Sequence, residues 1–193
     1  MIKSTFNPNT WLVVLFTVIV ASLRVVFIYD SEISPLSNFS PLGAMALFGG
    51  ACFNRHWKAF SFPLFTLFIS DVFLSFTVFS QFRSGLLYQD WYWTYGAFAL
   101  MTLTGRAMIK KPSALSVLSA AVVCVLIHWI VSDIGVWLHG TLYPKTPIGY
   151  IECLIAAIPY EGNLLLGTIV YVGILFRSLD WIQQRWPSLS VHH

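Results

Sequence analysis

Six apolar runs, most of them near the length of a membrane-crossing helix, succeed one another along this chain and constrain its fold more than any other feature. A helix crossing a hydrocarbon core about 30 Å thick needs about 20 mostly apolar residues, and it satisfies its own backbone N–H and C=O groups. The runs are 11–29, 41–53, 59–79, 88–104, 113–138 and 148–176. The second is short, so tilt or extension by its flanks is expected. The fifth follows Lys110-Lys111-Pro112, and proline at a helix start is tolerated because the first N–H has no partner there. The sixth holds Pro159 to Gly162 and is expected to break there, which membrane depth tolerates only where protein or water meets the freed groups. Lys3 before an apolar run suggests a signal peptide, but Arg24 interrupts the place for a cleavage site, so the run is read as a retained helix.

Composition agrees. Of 193 residues, 57% are hydrophobic, 17% aromatic and 10% charged, against roughly 25% charged in soluble chains; mean hydropathy is +0.73. A soluble enzyme, a disordered tail, a collagen-like fibre and a disulfide scaffold are excluded. The net charge of +3 comes from residues scattered through short loops, so no nucleic-acid partner is expected. Cys52, Cys124 and Cys153 are odd in number and lie in apolar stretches, which indicates no disulfide framework. The fold class is therefore all-α: one polytopic transmembrane domain over residues 1–193, with six spans and the lipid bilayer as its first partner.

Basic loops remain in the cytoplasm. With both termini inside, the inner segments hold Lys3, Arg55, Lys58, Arg106, Lys110, Lys111, Arg177 and Arg185, while the outer loops hold Arg83 and Lys145. An even number of spans with both ends inside follows as the expectation.

The chain has no G-x-x-x-x-G-K-S/T phosphate loop, no H-E-x-x-H zinc helix and no G-x-S-x-G nucleophile elbow. Active movement of a solute would draw on an ion gradient or a partner, and the protein is expected not to be an enzyme. The membrane ionisable groups fall mostly in the outer half: Arg24, Asp71, Asp133, Glu152 and Glu161. Such charges are costly and usually face a cavity or each other. Arg24 is expected to pair with Asp71 or Asp133, either as a packing device or as part of a site. Trp91, Tyr92, Trp93, Tyr95, Trp129, Trp137, Tyr143, Tyr150 and Tyr160 crowd the same side. Trp129, Asp133 and Trp137 share a helix face by their spacing of four, and an interfacial aromatic belt is the plain alternative to a pocket.

His128 and His139 are eleven residues apart without a compact ligand motif, so a structural role outweighs metal binding. Ser70-Asp71 and Ser132-Asp133 echo each other; two intramembrane aspartates would suit an aspartyl enzyme if they shared a proton. Ala46 and Gly50, spaced by four, form a small-residue face suited to packing within the chain or to docking another protein.

The segments Asn38-Phe-Ser-Pro-Leu-Gly-Ala-Met-Ala-Leu-Phe-Gly-Gly-Ala51, Ile69-Ser-Asp71, Gly135-Val-Trp-Leu138, Tyr143-Pro-Lys-Thr146, Ala156-Ala-Ile-Pro159, Asn163 and Leu165-Leu-Gly167 resemble an uncharacterised family of bacterial membrane proteins classed as transporters. That family is similar to the substrate-binding S components of energy-coupling factor (ECF) vitamin transporters, including the solitary cobalamin-binding ones. The resemblance covers roughly residues 38 to 171 and implies an S-component-like six-helix bundle, both termini inside, with a vitamin site open outward. The first helix holds only Ala21, where S components that dock on a shared energising module carry an Ala-x-x-x-Ala face. Partner energising subunits and a solitary existence both stay open. Asp133 and Glu161-Gly162 also depart from the family's pattern.

The expected function is uptake of a small molecule, a vitamin or cofactor precursor with cobalamin leading by resemblance. The alternatives are a multispan scaffold of the cell envelope and, behind it, an intramembrane aspartyl enzyme. The ligand-binding candidates are Arg24, Asn38, Asp71, Trp91, Trp93, Asp133, Trp137, Tyr143, Glu161 and Asn163, with aromatics stacking and polar groups orienting. No intrinsic cofactor is expected; if the ligand is a corrinoid, Cys153 or His139 is the candidate cobalt ligand.

Overall fold

The small-residue segment after Asn38 forms the centre of the molecule. In the computed structural model, which describes residues 5–6, 10–29, 38–185 and 190–191, it is helix α2 (Leu42–Cys52), and all eleven of its residues are buried. Around it stand α1 (Thr10–Tyr29), α3 (His56–Phe76), α4 (Trp91–Met108), α5 (Ala114–His139) and α6 (Pro147–Arg185). Two short ribbons complete the chain. Strand β1 (Thr5–Phe6) pairs antiparallel with β4 (Ser190–Val191), and β2 (Arg83–Ser84) pairs with β3 (Leu87–Tyr88). The second ribbon turns at Gly85, whose φ of 80° suits glycine because it has no Cβ.

At 1.5 Å per residue α2 is about 16 Å long, too short for a hydrocarbon core about 30 Å thick. The expected second span is thus a short helix enclosed by the other helices, which shield it from lipid along its whole length. It packs on α3, α4, α5 and α6 because its small residues let backbones approach. A methyl on Gly50 would collide with the Thr102 carbonyl and lie 3.0 Å from the Arg106 nitrogen; one on Gly105 would collide with the Leu47 carbonyl and lie 2.9 Å from Leu47 Cα. The Ala46–Gly50 face is therefore spent on α4 inside the chain. Met45, Leu47, Leu67 and Met101 fill the surrounding core, and Phe48 meets Phe53 and Phe176 edge-on.

Helices α3, α5 and α6 are each long and apolar enough to cross a membrane. Their outer faces carry exposed large apolar side chains, such as Phe65 and Phe73, Leu118 and Leu126, and Ile155 and Leu166. A water-soluble helix would carry polar residues there. Helix α5 begins at a capping box: Ser113 Oγ accepts from Ser116 N at 3.1 Å, and Ser113 N donates to Ser116 Oγ at 3.0 Å. Pro112 precedes the cap rather than opening the helix.

The break expected between Pro159 and Gly162 is absent, and α6 runs unbroken from Pro147 to Arg185. Pro159 removes one N–H, whose partner would be the Ile155 carbonyl. Both residues lie on the exposed outer face of α6, so the ring clashes with no neighbouring helix. Helix α3 likewise continues through Pro63. Lys3, counted with the basic inner segments, lies outside the described residues.

Candidate functional site

A cavity of about 750 Å³ lies at one end of the bundle. Its wall comes from the end of α1, the segment 38–42, α3 at Leu67 and the turn after it, the β2–β3 ribbon, the first turns of α4, the last three turns of α5 and the middle of α6. The opposite end of the bundle carries the α2–α3 and α4–α5 connections, where Arg106 Nη1 donates to the Phe53 carbonyl at 3.4 Å.

Short-range order sets these walls. Asn38 and Asp90 both take left-handed backbone conformations, with φ of 68° and 65°, which short polar side chains tolerate better than most. Asp90 thereby turns the chain from β3 into α4. Close approach of α4 to α5 needs Gly135: a Cβ there would lie 2.7 Å from Trp93 Cδ1 and 3.1 Å from Asp90 Cβ.

Three charge arrangements line or back the cavity. Arg24 Nη1 forms an ion pair with Asp71 Oδ1 and donates to Ser70 Oγ at 2.6 Å. Asp71 is fully buried and Arg24 is 15% exposed at its side chain, so the arginine presents its flank to the cavity while its charge is matched behind the wall. This settles the pairing that the sequence left open between Asp71 and Asp133. His128 Nδ1 lies 2.9 and 3.1 Å from the two Glu161 oxygens, joining α5 to α6. At the mouth, His139 Nδ1 lies 2.9 Å from Asp90 Oδ1, which also accepts from Tyr92 at 2.9 Å.

Asp133 differs from these pairs in having no ion-pair partner among the described residues, whereas an unpartnered Oδ2 is a feature it shares with Asp71. It is 8% exposed and lines the cavity, and its Oδ2 has no hydrogen-bond partner among the described residues. Ser132 beside it turns its hydroxyl to the His128 carbonyl at 2.7 Å. The apolar part of the wall includes Leu42, Leu67, Phe98 and Leu164, with Phe98 edge-on to His128 at 5.3 Å between ring centres. Tyr88, in the β2–β3 ribbon, also lines the cavity. Burial, and then the nearby Asp71 charge, push its phenol above the ordinary range, so it serves as a neutral hydrogen-bonding group.

Of the ligand-binding candidates read from the sequence, Arg24, Asn38, Asp133 and Glu161 line the cavity, and Asp71 backs it through Arg24. Trp91, Trp93, Trp137, Tyr143 and Asn163 lie outside the lining. The tryptophans have other employment. Trp137 Nε1 donates to the Pro144 carbonyl at 2.9 Å and its ring packs on Tyr150, while Trp129 Nε1 donates to the Leu154 carbonyl at 2.9 Å. Together they fasten α5 to the start of α6. Trp93 packs at Gly135, and Trp91, 39% exposed, stands edge-on to Tyr95 at 5.0 Å between ring centres.

Of the two candidate cobalt ligands, His139 lines the mouth, whereas Cys153 is buried behind α5 with Sγ 4.0 Å from the Asp133 carbonyl. No group of three or more His, Cys, Asp or Glu side chains among the described residues is placed to hold a metal. Sequence reasoning missed Asp90, Tyr88, Phe98 and the partnership of His128 with Glu161. Asp90 stands at the N-cap position of α4 but makes no side-chain cap bond, its carboxylate going to His139 and Tyr92 instead; nothing in the sequence links residues 128 and 161, which the fold alone brings together. The arrangement can enclose a small molecule between apolar walls and meet its polar groups at fixed points.

No curated protein and no solved structure matches the chain. It matches a family of proteins, DUF6580, over residues 4–189, and so the chain belongs to this family of unknown function.

Proposed function

We propose that this is a multi-pass protein of a bacterial cytoplasmic membrane that captures a small molecule, of the vitamin or cofactor-precursor class, in the cavity and helps it across. The observation that carries the reading is the cavity of about 750 Å³ walled by Arg24, Asn38, His128, Asp133 and Glu161. It falls within the range of sites that enclose drug-sized ligands, roughly 300–1,000 Å³. Buried ionisable groups at membrane depth are costly and mark pathways or ligand sites.

Charge supplies the direction. The cavity end has Arg83 and Lys145 in its connections, while Arg55, Lys58, Arg106, Lys110 and Lys111 lie in or beside those of the other end. By the rule that basic loops stay inside, the cavity faces outward. The β1–β4 ribbon pairs Thr5 with Val191, an arrangement that suits termini on one side and an even number of crossings. The resemblance to S components supports the same reading. Enzymatic chemistry has less support, because Asp71 is engaged by Arg24 rather than sharing a proton with a second aspartate. The scaffold alternative loses its docking face, since Gly50 is spent on α4.

A vitamin of a few rings suits the volume. A whole corrinoid would require the mouth to widen, and His139 would have to leave Asp90 to reach cobalt. The test is purification in mild detergent from cells grown in rich medium, followed by mass spectrometry and absorbance of the denatured extract. A stoichiometric small molecule, depleted in folded Phe98→Ala and Tyr160→Ala variants, is the expected result. An empty protein that no vitamin panel, cobalamin included, stabilises against heat would overturn the reading.

A further inference from the structure

We propose that the ligand of this cavity is a cation: a small molecule with an apolar, largely flat body and a protonated amine or amidine that docks on Asp133 beside Glu161. The inference deepens the capture reading above and rests on it.

The argument is a count of charges facing one space. Among the described residues, the ionisable groups lining the cavity, besides the tyrosines Tyr88 and Tyr160, are Arg24, Asp90, His128, Asp133, His139 and Glu161. Arg24 is matched by Asp71 behind the wall. That leaves Asp90, Asp133 and Glu161 against His128 and His139. With both histidines neutral the surplus is three negative charges, and with both protonated it is one. The sign is the same at either limit of the histidines while all three carboxylates are charged, and a cation entering the space favours that charged form of Asp133. Each histidine already has its carboxylate, His128 with Glu161 at 2.9 Å and His139 with Asp90 at 2.9 Å. Asp133 is left over, 8% exposed, with Oδ2 unpartnered.

A buried carboxylate without a partner is expensive. It is retained at membrane depth when a function requires it, and the partner that removes the cost is a positive charge entering the space it faces. Lys145, in the connection after α5, does not serve: its Nζ is held by the Trp137 and Gly140 carbonyls at the end of α5. Around Asp133 the wall offers what such a ligand's body would need. Phe98 and Leu164 are apolar, Tyr160 presents a ring from α6, and aromatic faces attract cations as well as apolar surface. An anionic ligand would meet the same surplus as repulsion, which costs affinity by the same Coulomb argument.

The test uses full-length protein in detergent and two charge-matched series as probes: tryptamine, indole-3-acetamide and indole-3-acetate, and phenethylamine, phenylacetamide and phenylacetate. Calorimetry and thermal shift are expected to rank amine above amide above carboxylate in at least one series, with amine over amide by about tenfold or more, equivalent to about 1.4 kcal/mol. Asp133→Asn is expected to bring that ratio near one while leaving amide binding in place, and Asp133→Glu to restore part of it. Should Asp133→Asn fail to fold, Glu161→Gln is read instead, with a smaller fall in the ratio expected. Amides or carboxylates binding as tightly as the amines would overturn the cation assignment and leave the capture reading standing. Six silent probes together with an empty purified protein would overturn both. Silent probes with a co-purifying anion or neutral molecule would overturn the cation assignment alone, and a co-purifying cation would support it.

Discussion

Arg24 and Asp71 together show how a charge can sit inside an apolar bundle. Asp71 is fully buried and its pairing with Arg24 is supplemented by Ser70, so neither charge faces hydrocarbon alone. Removing one member leaves the other uncompensated, which in buried pairs costs about 3–5 kcal/mol. Arg24→Ala is therefore expected to lower the Tm steeply in detergent, whereas Arg24→Met with Asp71→Leu recovers most of the loss. A double variant as unstable as the single one would show that the pair does more than neutralise itself. Tyr88 gives a pH dependence. Its phenol is raised by burial first and by Asp71 second, so the folded chain holds that proton more tightly than the unfolded chain does. Stability from this group is complete below the unfolded value of about 10 and falls as the pH rises above it. A Tm profile is expected to decline above about pH 10 and to decline less in Tyr88→Phe. Identical profiles would contradict the assignment.

At the scale of elements, the contact between α2 and α4 depends on two residues that lack a side chain. Gly105→Ala would drive a methyl against the Leu47 backbone, and neither helix can yield without disturbing the core. Overpacking of this kind costs about 1–3 kcal/mol. Gly96→Ala, on the same helix with nothing within 4 Å of the new methyl, serves as the control and is expected to be neutral or mildly stabilising. A Tm series on the two variants separates packing from helix propensity. Pro159 gives the converse expectation. Because α6 is unbroken and Pro159 lies on its exposed face, Pro159→Ala restores one backbone hydrogen bond and is expected to leave the Tm unchanged or raise it. A large drop would mean that the proline shapes α6 in a way its exposed position does not suggest.

For the whole molecule, the distribution of Lys and Arg between the two ends predicts orientation. Ser84, in the β2–β3 ribbon at the cavity end, and Lys111, before α5 at the other end, are both exposed. Cys52, Cys124 and Cys153 are all buried, so background labelling is expected to be low. An impermeant maleimide applied to intact cells is expected to label Ser84→Cys and to spare Lys111→Cys until the membrane is opened. The reverse pattern would place the cavity on the cytoplasmic side.

The sequence by itself determined the number and approximate bounds of the helices, because apolar runs and turn residues are local signals. Thus 11–29 corresponds to Thr10–Tyr29 and 113–138 to Ala114–His139. It also singled out Arg24, Asp133 and Glu161, because charge within an apolar run is conspicuous wherever it finally points. It placed a short helix at 41–53, matching Leu42–Cys52, but could not show that the helix is enclosed, since length and apolarity cannot tell lipid from protein as the surrounding solvent. Only the close approach of α4 to Gly50, with the other helices around it, encloses that segment. Trp91, Trp93 and Trp137 read as pocket residues in the sequence because they share a side of the bundle. Tertiary structure gave two of them fastening or packing roles and put Phe98 and Tyr88 at the wall instead. Which aspartate Arg24 meets, and that His128 finds Glu161 across 33 positions, were decided by helix packing, because a contact between distant residues has no local signature along the chain.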